Sequence, residues 1–234
     1  LAMTFTNKAA GEMRERVGQL VGKQRADLMT VGTFHAFCAK LLRHYGSAIG
    51  VARNFSICDQ SDQLSALKGA LRELRIPEAS IAPSDLHSKI SLYKNKGISQ
   101  QVLLEKAADP KEELIAQAWA KYEEHLRRCR TVDFDDLLTL SVRLLHERAE
   151  VREELQQRFR FVMVDEYQDT NGPQYDIVKA IASAHRNLCV VGDDDQSIAR
   201  NIQVDVAQVM GSCASNADLV QGVCPAGRSR NIAV

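Results

Sequence analysis

The sequence has no net charge: thirty lysines and arginines balance thirty aspartates and glutamates over 234 residues. A chain without bulk charge cannot hold a polyanion as a histone-like polycation does, so any anionic partner must be met by a local patch. The chain also lacks an apolar run near the roughly 18 to 20 residues of a membrane span, and it shows no signal peptide. Its six cysteines, Cys38, Cys58, Cys129, Cys189, Cys213 and Cys224, form no CxxC pair. That spacing supports neither a zinc knuckle nor a dithiol redox motif and fits reduced thiols in a cytosolic protein. There is one tryptophan, Trp119, and no aromatic residue after Tyr175. No lysine loop of the form GxxxxGK followed by Ser or Thr occurs anywhere.

What remains is ample for a globular protein. A hydrophobic fraction of 45% with 26% charged residues can bury a core. The length suits one large domain or two small ones. The chain opens at Leu1, inside an apolar-then-polar phrase without an initiator Met, and reads as a fragment. Charge is unevenly placed. Residues 1–53 carry Lys8, Arg14, Arg16, Lys23, Arg25, Lys40, Arg43 and Arg53 against Glu12, Glu15 and Asp27, a net of +5. Residues 161–206 carry eight acids against Lys179, Arg186 and Arg200, a net of −5. The first region suits a polyanion and the second a metal ion.

The periodicity changes along the chain. LAMTFT reads as a strand, followed by a helix with Ala9, Met13, Val17 and Leu20 on one face. LMTVGTF reads as a second strand, followed by a helix whose Phe34, Phe37, Cys38, Leu41, Leu42 and Tyr45 form an apolar stripe. This βαβα order predicts a parallel sheet. Over residues 51–130 helices follow one another. Leu64, Leu67, Leu71 and Leu74 mark one, residues 84–94 a weaker one, and Leu114, Ile115, Ala118, Trp119, Tyr122 and Leu126 a strong one, whose stripe is expected to face a core. Two further helices fill residues 133–158. The parallel-sheet pattern then resumes with FRFVMVDE, a helix from Pro173 to Ala184 and LCVVGDDD. Both of these strands are short apolar runs ending in acids, as expected of strands buried on both faces with ligand groups at their carboxyl ends.

The most informative stretch is FVMVDEYQDTN, Phe161 to Asn171. An apolar strand delivers Asp165 and Glu166 together to a sheet edge, and strand alternation turns their side chains different ways. One carboxylate can hold a hydrated Mg²⁺ while the other orients an attacking water, the division of labour that phosphoryl transfer needs. A solvated acidic turn capping the next helix is the structural alternative.

DEYQDTN resembles the Walker B motif of UvrD/Rep-type DNA helicases of helicase superfamily one. Three more segments resemble motifs of that family in the same order: TFTNKAA (Thr4 to Ala10), VGTFHAF (Val31 to Phe37) and VGDDDQSI (Val191 to Ile198). RNFSICDQSDQ and TVDFDDLL resemble segments flanking its helical insertion. The resemblance implies an α/β fold, a RecA-like parallel sheet flanked by helices of the P-loop NTPase type. It places this ATPase subdomain at residues 1–50 and 131–234, and an all-helical insertion at 51–130.

It further implies ATP and Mg²⁺ as cofactors, Asp165 as the metal ligand, Glu166 as activator of the hydrolytic water, and Gln196 as the group touching the γ-phosphate. Gln168 and Asp169 belong to the same nucleotide site. An amide suits Gln196 because it can donate to phosphate and accept from water; a plain loop glutamine is the alternative. For single-stranded DNA and DNA junctions the resemblance carries over to Thr4, Phe5, Thr6 and Asn7 and to Thr33, Phe34 and His35. Hydroxyls, an amide and helix starts hold phosphates without reading sequence, and an exposed aromatic stacks on a base. Core packing for Phe34 and a structural hydrogen bond for His35 are the alternatives.

The implied activity is ATP-dependent movement 3′ to 5′ on single-stranded DNA in repair or replication, with repair or replication proteins as partners, in the bacterial cytosol or nucleoid and away from membranes. Two departures bear on it. The family's lysine loop is expected upstream of TFTNKAA, and the chain opens after it, so that the chain alone is expected to bind ATP poorly. After Ile198 the family continues with aromatics and an arginine, where this chain has Ala199, Asn201 and Ile202. Stacking is worth roughly 1 to 3 kcal/mol per base, so coupling between ATP and strand grip is expected to be weak. RSRNI, Arg228 to Ile232, only faintly resembles a later arginine-bearing motif. Other classes stay open: a single-strand-binding remnant without ATPase activity, and a nuclease using Asp165, Glu166 and Asp193.

Overall fold

The computed structural model describes residues 1–77, 79–107 and 109–192. The described residues form two compact units, one of residues 1–37 and 149–192, the other of Cys38–Arg148.

In the first unit β1 (Ala2–Thr4) leads into α1 (Asn7–Val21) and a short α2 (Lys23–Asp27), and β2 (Val31–Thr33) into α3 (Phe34–Tyr45), which runs on into the second unit. After the second unit come α9 (Ala149–Arg158), β5 (Val162–Val164), a 3₁₀ turn (Tyr167–Asp169), α10 (Gly172–Ala182) and β6 (Leu188–Val190). The four strands form one wholly parallel sheet in the order β2-β1-β5-β6. The expected α/β fold, a parallel sheet flanked by helices, is therefore present.

Local chemistry sets the helix starts. Thr6 accepts the Ala9 N–H at 3.1 Å to cap α1, and Thr33 accepts the Ala36 N–H at 3.2 Å at the start of α3. Asn171 and Gln174 cap α10 reciprocally, with Pro173 in the first turn where its missing N–H costs nothing. The core gathers Met3, Val31, Phe34, Phe37, Leu155, Val162, Val164, Ile177 and Ile181, each worth roughly 1.5 to 3 kcal/mol when fully buried.

Two expectations need correction here. The predicted apolar face of α1 is only half formed, since Leu20 is 84% exposed and Ala10 is the helix's buried residue. Burial of β5 and β6 on both faces also fails. Met163 is 39% exposed beside a half-buried Cys189, its partner in register, so this part of the sheet face lacks a full cover.

The second unit is mostly helical, with the 3₁₀ turn Gly46–Ile49, α4 (Gln60–Glu73), α5 (Pro83–Asn95), α6 (Gln100–Lys106), α7 (Pro110–Cys129) and α8 (Phe134–Glu147). Its core packs Leu67, Leu71, Leu86, Ile90 and Leu103 against the Ile115, Trp119, Tyr122 and Leu126 face of α7. Residues 51–130 are not purely helical. β3 (Ser56–Ile57) pairs in parallel with β4 (Thr131–Val132) and ties the start of the helical run to its end. The compact unit extends beyond residues 51–130 because α8 packs on α5 and on the 3₁₀ turn at Gly46–Ile49.

Candidate functional site

Parallel strands put all their carboxyl ends on one edge, and each strand of the first unit delivers there a segment singled out in the sequence. Thr4 to Asn7 leave β1, Thr33 to His35 leave β2, Asp165 to Asp169 leave β5, and Val191 and Gly192 leave β6. Cross-strand bonds hold these exits together. The Asp165 N–H donates to Met3 O at 3.0 Å, Val191 N–H to Val164 O at 2.8 Å, and Tyr167 N–H to Val191 O at 2.9 Å. Gln196, with Asp193 to Asp195 and everything beyond, lies outside the described residues.

The acidic turn is built tightly. The Asp165 carboxylate accepts the Glu166 N–H at 3.1 Å, and Glu166 sits at φ 54° and ψ 42° in the left-handed region. A non-glycine residue there costs on the order of 1 to 2 kcal/mol, offset by the bonds on either side. Asp169 N–H closes back to Glu166 O at 3.0 Å, and Thr170 N–H to Tyr167 O at 3.0 Å. Asp165, Glu166 and Gln168 are half-buried and Asp169 is exposed. Burial, with a smaller contribution from Tyr175, pushes the Tyr167 phenol up to about 12, so it stays a neutral donor. Among the described residues no three or more His, Cys, Asp or Glu side chains form a closed metal cage. An open carboxylate suits Mg²⁺, which is generally held by one or two carboxylates together with waters and phosphate oxygens.

The segments leaving β1 and β2 divide sharply by exposure. Thr4 is fully buried and donates its hydroxyl to Thr6 O at 3.0 Å. Thr33 is buried with its hydroxyl engaged in capping, and Phe34 is 1% exposed with its ring 5.6 Å from that of Phe5. Their side chains are engaged within the fold. Thr6 and Asn7 are exposed, and Phe5 and His35 are half-buried. One cation of the basic segment is also engaged internally, since Arg14 donates to Val31 O at 2.6 Å.

Two features escaped sequence reading. The Thr170 hydroxyl, in a residue 7% exposed, is buried without a hydrogen-bond partner, and nothing in the sequence marks it. Gly192 lies so close to the acidic turn that a Cβ there would meet Gln168 Oε1 at 2.7 Å. Glycine at the end of an apolar strand is the available signal, because it often marks a close approach.

Residues 1–200 match the family described as UvrD/REP helicase N-terminal domain. The chain is 40% identical over 210 residues to the ATP-dependent DNA helicase PcrA of Bacillus subtilis, covering 90% of this chain and 28% of that protein. It is 43% identical over 198 residues to the PcrA helicase of Staphylococcus aureus, covering 85% of this chain and 27% of that protein, and 41% identical to that of Leuconostoc citreum. The chain thus spans about a quarter of the length of the curated relatives it matches. Its ordered motifs, parallel sheet and match across most of its length lead to one assignment: the chain belongs to the UvrD/REP helicase N-terminal domain family.

Proposed function

We propose that this chain supplies the hydrolytic edge of an ATP-dependent DNA helicase that moves 3′ to 5′ on single-stranded DNA, acting with repair or replication proteins in the bacterial cytosol or nucleoid. The observation that carries the reading is the shared carboxyl edge of the sheet, where the Asp165–Glu166 turn lies beside the strand that feeds the capped start of α1. Among the described residues no helix is long and apolar enough to cross a membrane.

On this reading Asp165 holds Mg²⁺ and Glu166 takes the proton from the attacking water, a role worth roughly 10²- to 10⁴-fold in rate. The metal, once bound, would neutralise charge developing on the phosphate oxygens. Asp169 closes the turn under Glu166, and Gln196 reads the γ-phosphate. The DNA backbone crosses the helix starts, met by the exposed Thr6 and Asn7, with Phe5 and His35 at the margin, while Thr4, Thr33 and Phe34 shape that surface from beneath.

Phosphate release from ATP by the full-length protein, with and without single-stranded DNA, tests the reading. Turnover raised by DNA is the expected result. DNA binding without turnover would reduce the protein to a single-strand-binding module, and Mg²⁺-dependent DNA cleavage without ATP would replace the reading with a nuclease.

A further inference from the structure

The end of β6 and the turn that carries Glu166 are joined by a backbone hydrogen bond, with the Gln168 side chain lying beside Gly192. The Tyr167 N–H reaches Val191 O at 2.9 Å, which brings the next residue, Gly192, against the turn. A Cβ at Gly192 would stand 2.7 Å from Gln168 Oε1 and 3.5 Å from the backbone nitrogens of Tyr167 and Gln168. The backbone distances are ordinary contacts. Among the described residues, the amide end of Gln168 is the group with which a side chain at position 192 would collide.

Gly192 is not required by its backbone conformation, since it is absent from the glycines with positive φ. Among the described residues, the group that needs this space is the Gln168 amide. Gln168 itself lies two residues past Glu166, inside the turn closed by Asp169 N–H to Glu166 O and Thr170 N–H to Tyr167 O. Glu166 holds a left-handed conformation that its surroundings must enforce.

We propose that Gln168, seated over Gly192, is a positioning residue for hydrolysis: its amide locks the Glu166 turn to the carboxyl end of β6. This rests on the reading of Glu166 as the base. The lock acts on rate because a misplacement of about 1 Å in a reacting group can cost about 100-fold. The resemblance places Gln168 in the nucleotide site; the lock would act through Glu166 instead, so its loss is expected in kcat and not in KM for ATP.

Gly192→Ala is a selective test, because a flexible side-chain end gives way and the backbone does not have to. In the full-length protein, Gly192→Ala and Gln168→Ala are each expected to lower kcat for ATP by about tenfold or more. KM for ATP should stay within about twofold and the melting temperature near that of the wild type. The double variant should be no slower than the worse single variant, since both remove one lock. Multiplying losses, a raised KM at unchanged kcat, or full activity in Gly192→Ala would overturn the proposal.

Amide exchange at Asp169 and Thr170, measured without nucleotide, separates this proposal from the hydrolytic reading. Both variants should speed exchange there, and unchanged protection would overturn the lock. If the wild type turns over no ATP, the hydrolytic reading fails, and the exchange result still decides whether the lock exists.

Discussion

After β4 the chain reads DFDDLL and after β5 it reads DEYQDT, and the two acidic turns are treated in opposite ways. In the first, Lys94 Nζ lies 2.7 Å from Asp133 and 2.5 Å from Asp136, all three side chains being 13% exposed or less. The Tyr122 hydroxyl adds a bond to Asp133 at 3.0 Å, and Asn95 reaches Asp135 at 3.1 Å. Asp133 and Asp136 cap α8 reciprocally. In the second turn the carboxylates of Asp165 and Glu166 stay half exposed, no ion pair to either is found among the described residues, and Glu166 is held in a strained backbone conformation. Acids neutralised by buried partners hold a fold together. Acids kept open on a strained turn are available for an external cation or water.

Breaking the ion cluster should have the largest effect on stability. Lys94→Met leaves two buried carboxylates without their cation, and a loss of about 3 to 5 kcal/mol in denaturant unfolding is expected. A loss under about 1 kcal/mol would remove the contrast between the two turns.

Thr170→Val probes the other side of the comparison. An unpartnered buried hydroxyl costs roughly 1 to 3 kcal/mol, so its replacement by a methyl of the same shape should leave stability unchanged or raise it. Tyr122→Phe, which removes a bonded hydroxyl, should lower it. Equal losses in the two variants would contradict the distinction. Glu166→Gly should likewise raise stability, by up to about 1 kcal/mol, by relieving the left-handed residue while removing the carboxylate. A destabilised variant would mean that the Glu166 side chain supports the fold.

The cluster also sharpens the comparison through pH, with a smaller effect. Burial pushes the Asp136 carboxyl up to about 6; Asp133's charge adds to this and the Lys94 ammonium opposes it. Burial works against the charge of Lys94, but the two carboxylates outweigh it and hold the ammonium above its ordinary value. An acid whose folded pKa lies above its unfolded one binds its proton more readily in the folded state. Stability should therefore rise as pH falls from above about 6 toward the ordinary aspartate range near 4. Asp136→Asn should flatten that slope in unfolding curves taken across the window, and an unchanged slope would assign it elsewhere.

Much of the frame was legible because it rests on repeated spacing. The stripes of α3 and α7 follow 3.6-residue periods long enough to read, and Pro173 marks the start of α10. The Asp165–Glu166 pair was placed at a strand end by the apolar run before it. What escaped depends on contacts far apart in sequence or on elements too short for a period. Lys94 meets Asp133 and Asp136 from 39 and 42 residues away. β3 and β4 are two residues each, and α2 is five. Phe34 carries the same letters whether it stacks on a base or packs in a core. Its burial follows from Phe5 and the neighbouring strand. The left-handed Glu166 has no local signature at all, since glycine or asparagine would be the usual choice there.

The most direct test of the account is the Glu166→Gln variant of the full-length protein, assayed for ATP turnover in the presence of single-stranded DNA and for ATP binding with Mg²⁺. Turnover is expected to fall by at least about 100-fold with nucleotide affinity retained. Turnover near the wild-type rate would show that the open acid after β5 is not the base, and the central claim would fall.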